Sequence, residues 1–189
     1  MASQLDFSSF TLWQKQAFGA SLLQRMIPNY CYFSEATGFG DFRVIANQLD
    51  IVWQKLSALP IKFDPEKQLE KLYPLTPEPS SFDFFAVSPA VDVCTGMECL
   101  LTSFIDKNSD CGQELSTLSF AGVQNYIEFI ELAQGIDEPE EAKLLLEWEY
   151  ETQKHLFQLV VEGKANKTSC DSLKKAAVGE RLSNIGIEY

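Results

Sequence analysis

One stretch of the sequence, Phe82–Asp106, constrains the fold more than any other, because its side chains separate onto two faces of a helix. At a period of 3.6 residues, six apolar side chains fall on one side: Ala90, Val93, Met97, Leu100, Leu101 and Phe104. Four residues, most of them small, fall on the opposite side: Asp92, Gly96, Cys99 and Ser103. Small side chains let a second helix approach closely, so we expect this helix at the centre of a bundle.

The dipeptide Ser88-Pro89 predicts where this central helix begins. A serine side chain can cap the free amide groups at a helix start. Proline is tolerated at the first helical position, because its missing N–H had no partner there. The chain is therefore predicted to enter the helix at Pro89 and to remain helical toward Asp106.

The rest of the chain also carries apolar side chains at helical spacing, and no segment has the alternation of a strand. Further helices are predicted at residues 9–26, 29–37, 42–58, 65–73, 116–134, 139–162 and 170–182. Pro28 should separate the first two, and Asp41 and Asp64 should cap the two that follow them. Three prolines within residues 74–81 predict an extended strap. We therefore predict one all-α domain over residues 1–189, a bundle of about seven to eight helices around a central apolar helix.

Two of the predicted helices carry large apolar side chains whose direction matters for function. Helix 116–134 is predicted to turn Tyr126 and Phe129 inward. Helix 139–162 has one apolar stripe that would dock it on the core. It also has a second stripe, formed by Leu146, Tyr150, Phe157 and Val161. A second stripe indicates either a deeply buried helix or a subunit interface, and we take these four residues as interface candidates.

Charge and composition narrow the classes of partner. The formal net charge is −12, which repels the phosphates of nucleic acids and anionic membranes and favours a partner with a basic surface. No apolar run approaches the ~20 residues that span a bilayer, and the N-terminus lacks the pattern of a signal peptide. Five cysteines without a C-x-x-C pair are expected to be reduced thiols. The sequence thus predicts an acidic cytoplasmic protein that binds neither nucleic acid nor membrane.

The sequence holds little catalytic or metal-binding machinery. His155 is the only histidine, and Glu151 lies one helical turn before it, which makes the pair a weak metal-site candidate. A ferritin-type di-iron site needs two E-x-x-H motifs, whereas the spacing here is E-x-x-x-H. No nucleophile motif such as G-x-S-x-G is present. Neither a metal nor a cofactor is predicted, and an enzymatic role is disfavoured.

Asp92 is the most unusual polar residue of the chain. It lies about one turn into the predicted central helix. A buried carboxylate can be a functional group, and it can equally hold a neighbouring loop by accepting amide hydrogen bonds. Together with Asp50 or Asp83 it would form a pair of carboxylates that divide acid and base roles in a pocket near the start of the central helix.

Several short strings stand in order along nearly the whole chain: Arg25-Met26 with Pro28-Asn29-Tyr30, Thr37-Gly38-Phe39-Gly40-Asp41, Leu49-Asp50 with Trp53, Gln68-Leu69-Glu70, Phe82-Asp83, Pro89-Ala90 with Asp92 and Cys94, and Ser183-Asn184-Ile185-Gly186-Ile187. Together these strings resemble the YjaG-like bacterial family, a domain of unknown function numbered 416. The resemblance implies a bacterial, cytoplasmic, all-helical single domain. It brings no reaction, cofactor or partner, and adds only that four aspartates belong to the matching strings: Asp41, Asp50, Asp83 and Asp92.

Two functional hypotheses remain open from the sequence. The first, which we favour, is a non-enzymatic helical protein that forms a homodimer and acts by binding another protein. It rests on the second stripe, the acidic surface and the lack of a catalytic constellation. The alternative is a small-molecule binding protein or an enzyme that uses Asp92 with Asp50 or Asp83 as paired carboxylates.

Overall fold

The computed structural model of the protein describes residues 5–135, 140–179 and 181–188. Within these residues the chain forms seven α-helices: α1 (Leu12–Thr37), α2 (Phe42–Leu56), α3 (Pro65–Leu72), α4 (Val87–Thr102), α5 (Cys111–Gln134), α6 (Glu140–Glu162) and α7 (Lys167–Ala177). Two short 3₁₀ turns, Tyr73–Leu75 and Pro79–Ser81, occupy the Pro-rich segment. The described part of the chain has no β-sheet, and none of its helices is both long and apolar enough to cross a membrane. The predicted all-α fold is confirmed.

The helix at the centre of the bundle is α1 rather than α4, the helix expected there from the sequence, because α1 packs against α2, α4, α5, α6 and α7. Nearly every side chain of α1 between residues 16 and 30 is buried. The prediction that Pro28 divides this region into two helices is wrong, because α1 runs without interruption through it. A proline inside a helix costs about 3 kcal/mol, whereas each large apolar side chain that α1 buries contributes about 1.5–3 kcal/mol. Burial on all sides therefore outweighs the cost of the proline.

Aspartate side chains fix the starts of α2 and α3, as predicted. Asp41 Oδ1 accepts a hydrogen bond of 3.0 Å from the amide of Arg43. Asp64 Oδ1 accepts one of 3.1 Å from the amide of Lys67. Each bond satisfies an amide that has no partner within its helix.

The start of α4 differs from the prediction. Ser88 is not the cap, because the helix already begins at Val87 and no side chain caps it. The first amides bond instead to the preceding segment: Val87 N–H donates to Phe84 O at 3.1 Å and Ser88 N–H donates to Phe85 O at 3.2 Å. Pro89 is then the third helical residue, whose N–H would also lack a partner inside the helix. These bonds fix Phe84 and Phe85 directly beside the helix start.

Both predicted faces of α4 are used in packing. Five side chains of its apolar face are fully buried: Ala90, Val93, Met97, Leu100 and Leu101. On the small face, a Cβ added to Gly96 would approach Leu115 Cδ2 to 2.6 Å and Leu23 Cδ2 to 2.9 Å. The glycine therefore permits the close approach of α1 and α5 to α4.

A second, smaller core lies between α5, α6 and the C-terminal tail. Its buried members are Val123, Ile127, Ala142 and Ile185. Partly buried side chains surround it, among them Phe85 and Tyr126. This core fixes the tail against the outer part of the α5–α6 pair.

A buried ion pair joins α1 to α6. The Arg25 guanidinium donates from Nη1 to Glu149 Oε2, and both side chains are at most 2% exposed. Glu149 Oε1 also accepts hydrogen bonds from Ser119 Oγ at 2.7 Å and from Gln153 Nε2 at 2.6 Å. The guanidinium carbon lies 4.0 Å from the ring centre of Trp148, which adds a cation–π contact. The Glu149 carboxylate is therefore fully buried and has a donor on each oxygen.

Candidate functional site

A cavity of about 320 Å³ opens beside the start of α4. Its walls come from α1, the segment before α4, α4 itself, α5 and the C-terminal tail. Five of its lining residues are aromatic: Tyr32, Phe84, Phe85, Tyr126 and Phe129. We call this cavity and its rim the aromatic groove. Concave sites of this kind, mostly apolar and of this size, are typical of ligand binding.

The rings of the aromatic groove pack against one another. Phe85 stacks on Phe129 with ring centres 4.1 Å apart, and its ring centre lies 5.6 Å from that of Tyr126. Tyr32 and Phe84 have ring centres 5.8 Å apart. Tyr32 and Phe129 nevertheless remain 48% and 43% exposed. Large apolar side chains that stay exposed together around a cavity mark an interaction site.

The C-terminal tail forms one wall of the groove because hydrogen bonds fold it back on itself. Ser183 N–H donates to Ile187 O at 2.7 Å, and Ser183 Oγ accepts from Ile187 N–H at 3.0 Å. Asn184 anchors the turn, since its Oδ1 accepts a hydrogen bond of 2.9 Å from Asn29 Nδ2 on α1. Ile185 and Ile187 are thereby placed in the wall of the groove.

Asp92 lies about one helical turn from the groove. It follows the lining residue Pro89 by three positions on α4. Its Oδ2 is 3.1 Å from the point that a Cβ on Gly122 would occupy, and Asn184 Nδ2 is 3.7 Å from the same point. Gly122 precedes another lining residue, Tyr126, by one turn of α5. One turn rises about 5.4 Å, so the backbone of Asp92 lies within about that distance of a residue that lines the groove.

The carboxyl group of Asp92 has no partner. It is partly buried, and no hydrogen bond or ion pair reaches it from the described residues. Burial raises the pKa of Asp92 to about 6, and no other charged group contributes to this rise. At pH 7 the group is mostly ionised and its charge is uncompensated, so a cation placed beside it would be stabilised.

The segments that form the groove are acidic throughout. Residues 26–37, 82–92, 119–133 and 183–188 contain no Lys, Arg or His. They contain six carboxylates, of which four are exposed: Glu35, Asp83, Glu128 and Glu188. The groove therefore combines apolar surface with a negative potential, which attracts cations and repels anions.

Asp50 and Asp83, the carboxylates that the sequence grouped with Asp92, have surroundings that differ from its own. Asp50 lies on α2, where it accepts hydrogen bonds from Lys174 Nζ at 3.0 Å and from Gln54 Nε2 at 2.9 Å. Asp83 lies exposed in the segment before α4. Burial raises the pKa of Asp92, and neither Asp50 nor Asp83 contributes to this rise, so the pairing stays a prediction from the sequence.

His155 and Glu151 lie at a second cavity, of about 280 Å³, between α6 and α7. Both side chains are exposed. Among the described residues, no group of three or more His, Cys, Asp or Glu side chains is arranged to hold a metal ion. Arg25 also lines this cavity, but its Nη2, which lacks a hydrogen-bond partner in the described structure, is closed off from solvent. The pair therefore lacks the further ligands that a metal site needs.

The second stripe of α6 is largely taken up by packing within the chain. The ring of Phe157 stacks on that of Phe10, with centres 4.5 Å apart. Leu146 packs against the smaller core, and Tyr150 is partly buried. Val161 alone among the four is well exposed, at 51%. The stripe as a whole is therefore not a free face, and burial explains Phe157 and Leu146.

The aromatic groove itself was not evident from the sequence. The prediction that Phe129 faces inward is wrong, because it stacks on Phe85 at the rim and stays exposed. The sequence feature that could have indicated the groove is the string Phe82-Asp83-Phe84-Phe85. It concentrates aromatic rings in a segment that lies outside the described helices. Rings at such a position need a partner elsewhere in the fold, and that partner is not visible in the sequence.

Residues 3–188 match the family model described as protein of unknown function (DUF416). The chain is 31% identical to the uncharacterized protein YjaG of Escherichia coli (strain K12), over 94% of this chain and 91% of that protein. An uncharacterized protein of Haemophilus influenzae is 30% identical, over 94% and 92%. The crystal structure of a DUF416 family protein from Shewanella baltica OS155 has a TM-score of 0.85 and 34% identity, over 96% of this chain and 95% of that one. These relatives are bacterial, and the Shewanella structure shares the fold over nearly the whole chain.

Proposed function

The chain belongs to the DUF416 family of proteins of unknown function, and we propose that it is a non-enzymatic binding protein whose aromatic groove takes a basic segment of a partner protein. The observation that carries the proposal is a cavity lined by exposed aromatic rings, in segments that contain no basic residue. Such a surface complements an apolar side chain with Lys or Arg beside it.

The negative charge of the groove favours a basic segment over a second copy of the chain as its occupant. With a net charge of −12, a second copy would bring further negative charge toward an acidic rim. A basic segment would be attracted instead, and its cations also gain from the faces of the aromatic rings. The cavity volume of about 320 Å³ suits a few side chains rather than a folded domain.

A library of random peptides displayed on phage, selected on the purified protein, tests the proposal. We expect enriched peptides to combine an aromatic or large aliphatic residue with Lys or Arg. We also expect Phe129→Ala to bind these peptides at least about tenfold more weakly, because truncating an aromatic anchor costs more than ~1 kcal/mol. Phe129 is 43% exposed, so its truncation should leave the fold intact.

Tyr73→Ala is the matched control for this experiment. Tyr73 is an aromatic residue with 55% of its surface exposed, and it does not line the groove. The control variant should bind the selected peptides as tightly as wild type does. Peptides without basic residues, or peptides that bind Phe129→Ala and wild type equally, would contradict the proposal.

The proposed setting is the cytoplasm, and the thiol groups support both this setting and a non-enzymatic role. All five cysteines are free, which matches a compartment that keeps thiols reduced. Burial raises the pKa of each of the five thiols above its ordinary value. A thiol with a raised pKa is a poor nucleophile at neutral pH, so none of these cysteines is activated for catalysis.

As a second proposal, the protein forms a homodimer through a surface other than the second stripe of α6. Leu132 on α5 and Leu144 on α6 are 86% and 63% exposed, which is high for leucine. Leu132 lies near the end of α5 and Leu144 near the start of α6, two helices that pack together, and a two-fold interface there would cover both. Native mass spectrometry should show a dimer for wild type and a monomer for the double variant Leu132→Asp with Leu144→Asp. A wild-type monomer, or an unchanged dimer in the double variant, would rule this interface out.

A further inference from the structure

We propose that the carboxylate of Asp92 receives the Lys or Arg side chain of the bound segment, and so makes the aromatic groove selective for cations. The inference rests on the proposed binding function and names the group of the bound segment that Asp92 pairs with. It is carried by three observations: the position of Asp92 one turn from the groove, the lack of any hydrogen bond or ion pair to it from the described residues, and the absence of Lys and Arg from residues 26–37, 82–92, 119–133 and 183–188.

The position of Asp92 suits a side chain that enters from the groove. Asp92 and Gly122 each lie one helical turn from a lining residue, Pro89 and Tyr126 respectively. One turn is about 5.4 Å, which the four-carbon stem of lysine spans. The stem would lie on the aromatic rings while its charged end reached the carboxylate.

Glycine at position 122 leaves room for the carboxylate of Asp92 beside α5. A Cβ there would lie only 3.1 Å from Asp92 Oδ2, which is tighter than an ordinary contact. The neighbouring Asn184 Nδ2 is already engaged, because it donates to Ser119 O at 3.3 Å. Asp92 Oδ2 thus lies close to Gly122, where any larger residue would crowd it.

A purely structural role for Asp92 would require it to accept hydrogen bonds from a neighbouring loop. No such bond occurs in the described residues. No Lys or Arg lies in the segments that form the groove, so no cation of the same region stands ready to pair with it. A partly buried charge without a partner is unfavourable in the free protein, and a cation from a ligand would relieve that cost.

Two small probes separate the effect of charge from that of the aromatic rings. Phenethylammonium joins one ring to one ammonium group, and phenethyl alcohol is its uncharged counterpart. We expect wild type to bind the ammonium about tenfold more tightly at low salt, as measured by titration with NMR detection. A tenfold preference corresponds to about 1.4 kcal/mol, which is within reach of a partly desolvated ion pair.

Asp92→Asn should abolish this preference and leave the affinity for phenethyl alcohol unchanged. Gly122→Ala should reduce the preference while keeping the charge, because the added methyl group crowds Oδ2. Glu128→Gln is the matched control: it removes an exposed carboxylate from the same region and should change the preference by less than about twofold, since exposed charges are screened.

The outcomes separate this inference from the function on which it rests. If Phe129→Ala weakens both probes and Asp92→Asn keeps the preference for ammonium, the role of Asp92 is wrong and the groove remains a binding site. If Phe129→Ala weakens neither probe, or wild type binds neither, the groove does not bind apolar groups and both proposals fail. Equal loss of preference in Asp92→Asn and Glu128→Gln would mean that net charge, rather than Asp92, selects the cation.

Discussion

Two carboxylates of the described residues, Glu149 and Asp92, lie in opposite surroundings. Glu149 on α6 is fully buried and accepts hydrogen bonds from Arg25, Ser119 and Gln153. Asp92 on α4 is partly buried and accepts none from the described residues. A buried charge is tolerated when it is paired and hydrogen-bonded, and it costs free energy when it is not. The first carboxylate therefore belongs to the architecture, whereas the second is the one for which we propose a role in binding.

The difference follows from where the two groups lie. Glu149 faces α1 at the centre of the bundle, where water and ligands have no access and every partner must come from the chain. Asp92 is only partly buried and follows the groove residue Pro89 by about one helical turn, and we propose that its partner comes from outside the chain. The contrast predicts three substitutions with effects of different size and sign.

The largest effect is expected from Arg25→Met. The substitution keeps the length of the side chain but leaves the carboxylate of Glu149 buried without its cation. Removing one partner of a buried ion pair costs about 3–5 kcal/mol. Urea unfolding followed by circular dichroism should show a free energy of unfolding lowered by this amount at pH 7.

Arg43→Met provides the control for the loss of an arginine. Arg43 also forms an ion pair, with Asp41, but its side chain is 78% exposed. Exposed pairs contribute about 0–1 kcal/mol, so this variant should unfold close to wild type. Equal losses in the two variants would show that burial does not distinguish the Arg25–Glu149 pair, and the comparison would fail.

The second prediction is that Asp92→Asn stabilises the protein at neutral pH. A pKa of about 6 means that folded Asp92 holds its proton more tightly than the unfolded chain does, where the pKa is about 4. Wild type therefore loses stability as the pH rises from about 4 to about 6, and the asparagine variant does not. After allowance for partial exposure, we expect the variant to be about 1–2 kcal/mol more stable at pH 7, with no difference near pH 4.

Urea unfolding of both proteins across this pH range checks the second prediction. A variant less stable than wild type at pH 7 would mean that Asp92 makes stabilising contacts as a carboxylate. Asp92 would then resemble Glu149, and the contrast between the two sites would disappear. If Asp92→Asn stabilises the protein and also abolishes cation selectivity, then the Asp92 carboxylate provides selectivity and lowers the stability of the fold.

The sequence was a good guide wherever local chemistry decides the structure. Asp41 and Asp64 were predicted to begin α2 and α3, and both caps form because the residue that supplies the cap is adjacent to the amide it satisfies. The apolar face of α4 was predicted from spacing alone. Pro28 was misread, because burial of α1 against five other helices outweighs the local preference of a proline.

The candidate site was only half visible in the sequence. Asp92 stands out as a carboxylate within an apolar helix, and the structure confirms that it is partly buried. The aromatic rings around it come from segments far apart in the chain, so no local pattern reveals that Phe85 meets Phe129. Glu149 was not singled out for the same reason, since its partner Arg25 lies 124 positions away.

The smallest effect is expected from Asp50→Asn. Asp50 has a partner and is exposed, whereas Glu149 has partners and is buried, and Asp92 is partly buried without a partner among the described residues. Asp50 on α2 is paired with Lys174 on α7, and its side chain is 53% exposed. Burial tends to raise the pKa of Asp50, but hydrogen bonds from Gln54 and Lys174 outweigh it and the pKa is lowered. The pair therefore stabilises the fold above about pH 4 and is lost as the pH falls through the lowered pKa.

At pH 7 we expect Asp50→Asn to lose about 0.2–1 kcal/mol, and less at high salt, because exposed pairs are weak and screened. Lys174→Met should lose a similar amount, and the double variant should lose little more than either alone, since both substitutions break one contact. Urea unfolding at low and high salt measures all three. A loss above about 2 kcal/mol that persists at high salt would place Asp50 beside Glu149. The presence of a partner, rather than the depth of burial, would then distinguish the structural carboxylates Glu149 and Asp50 from Asp92.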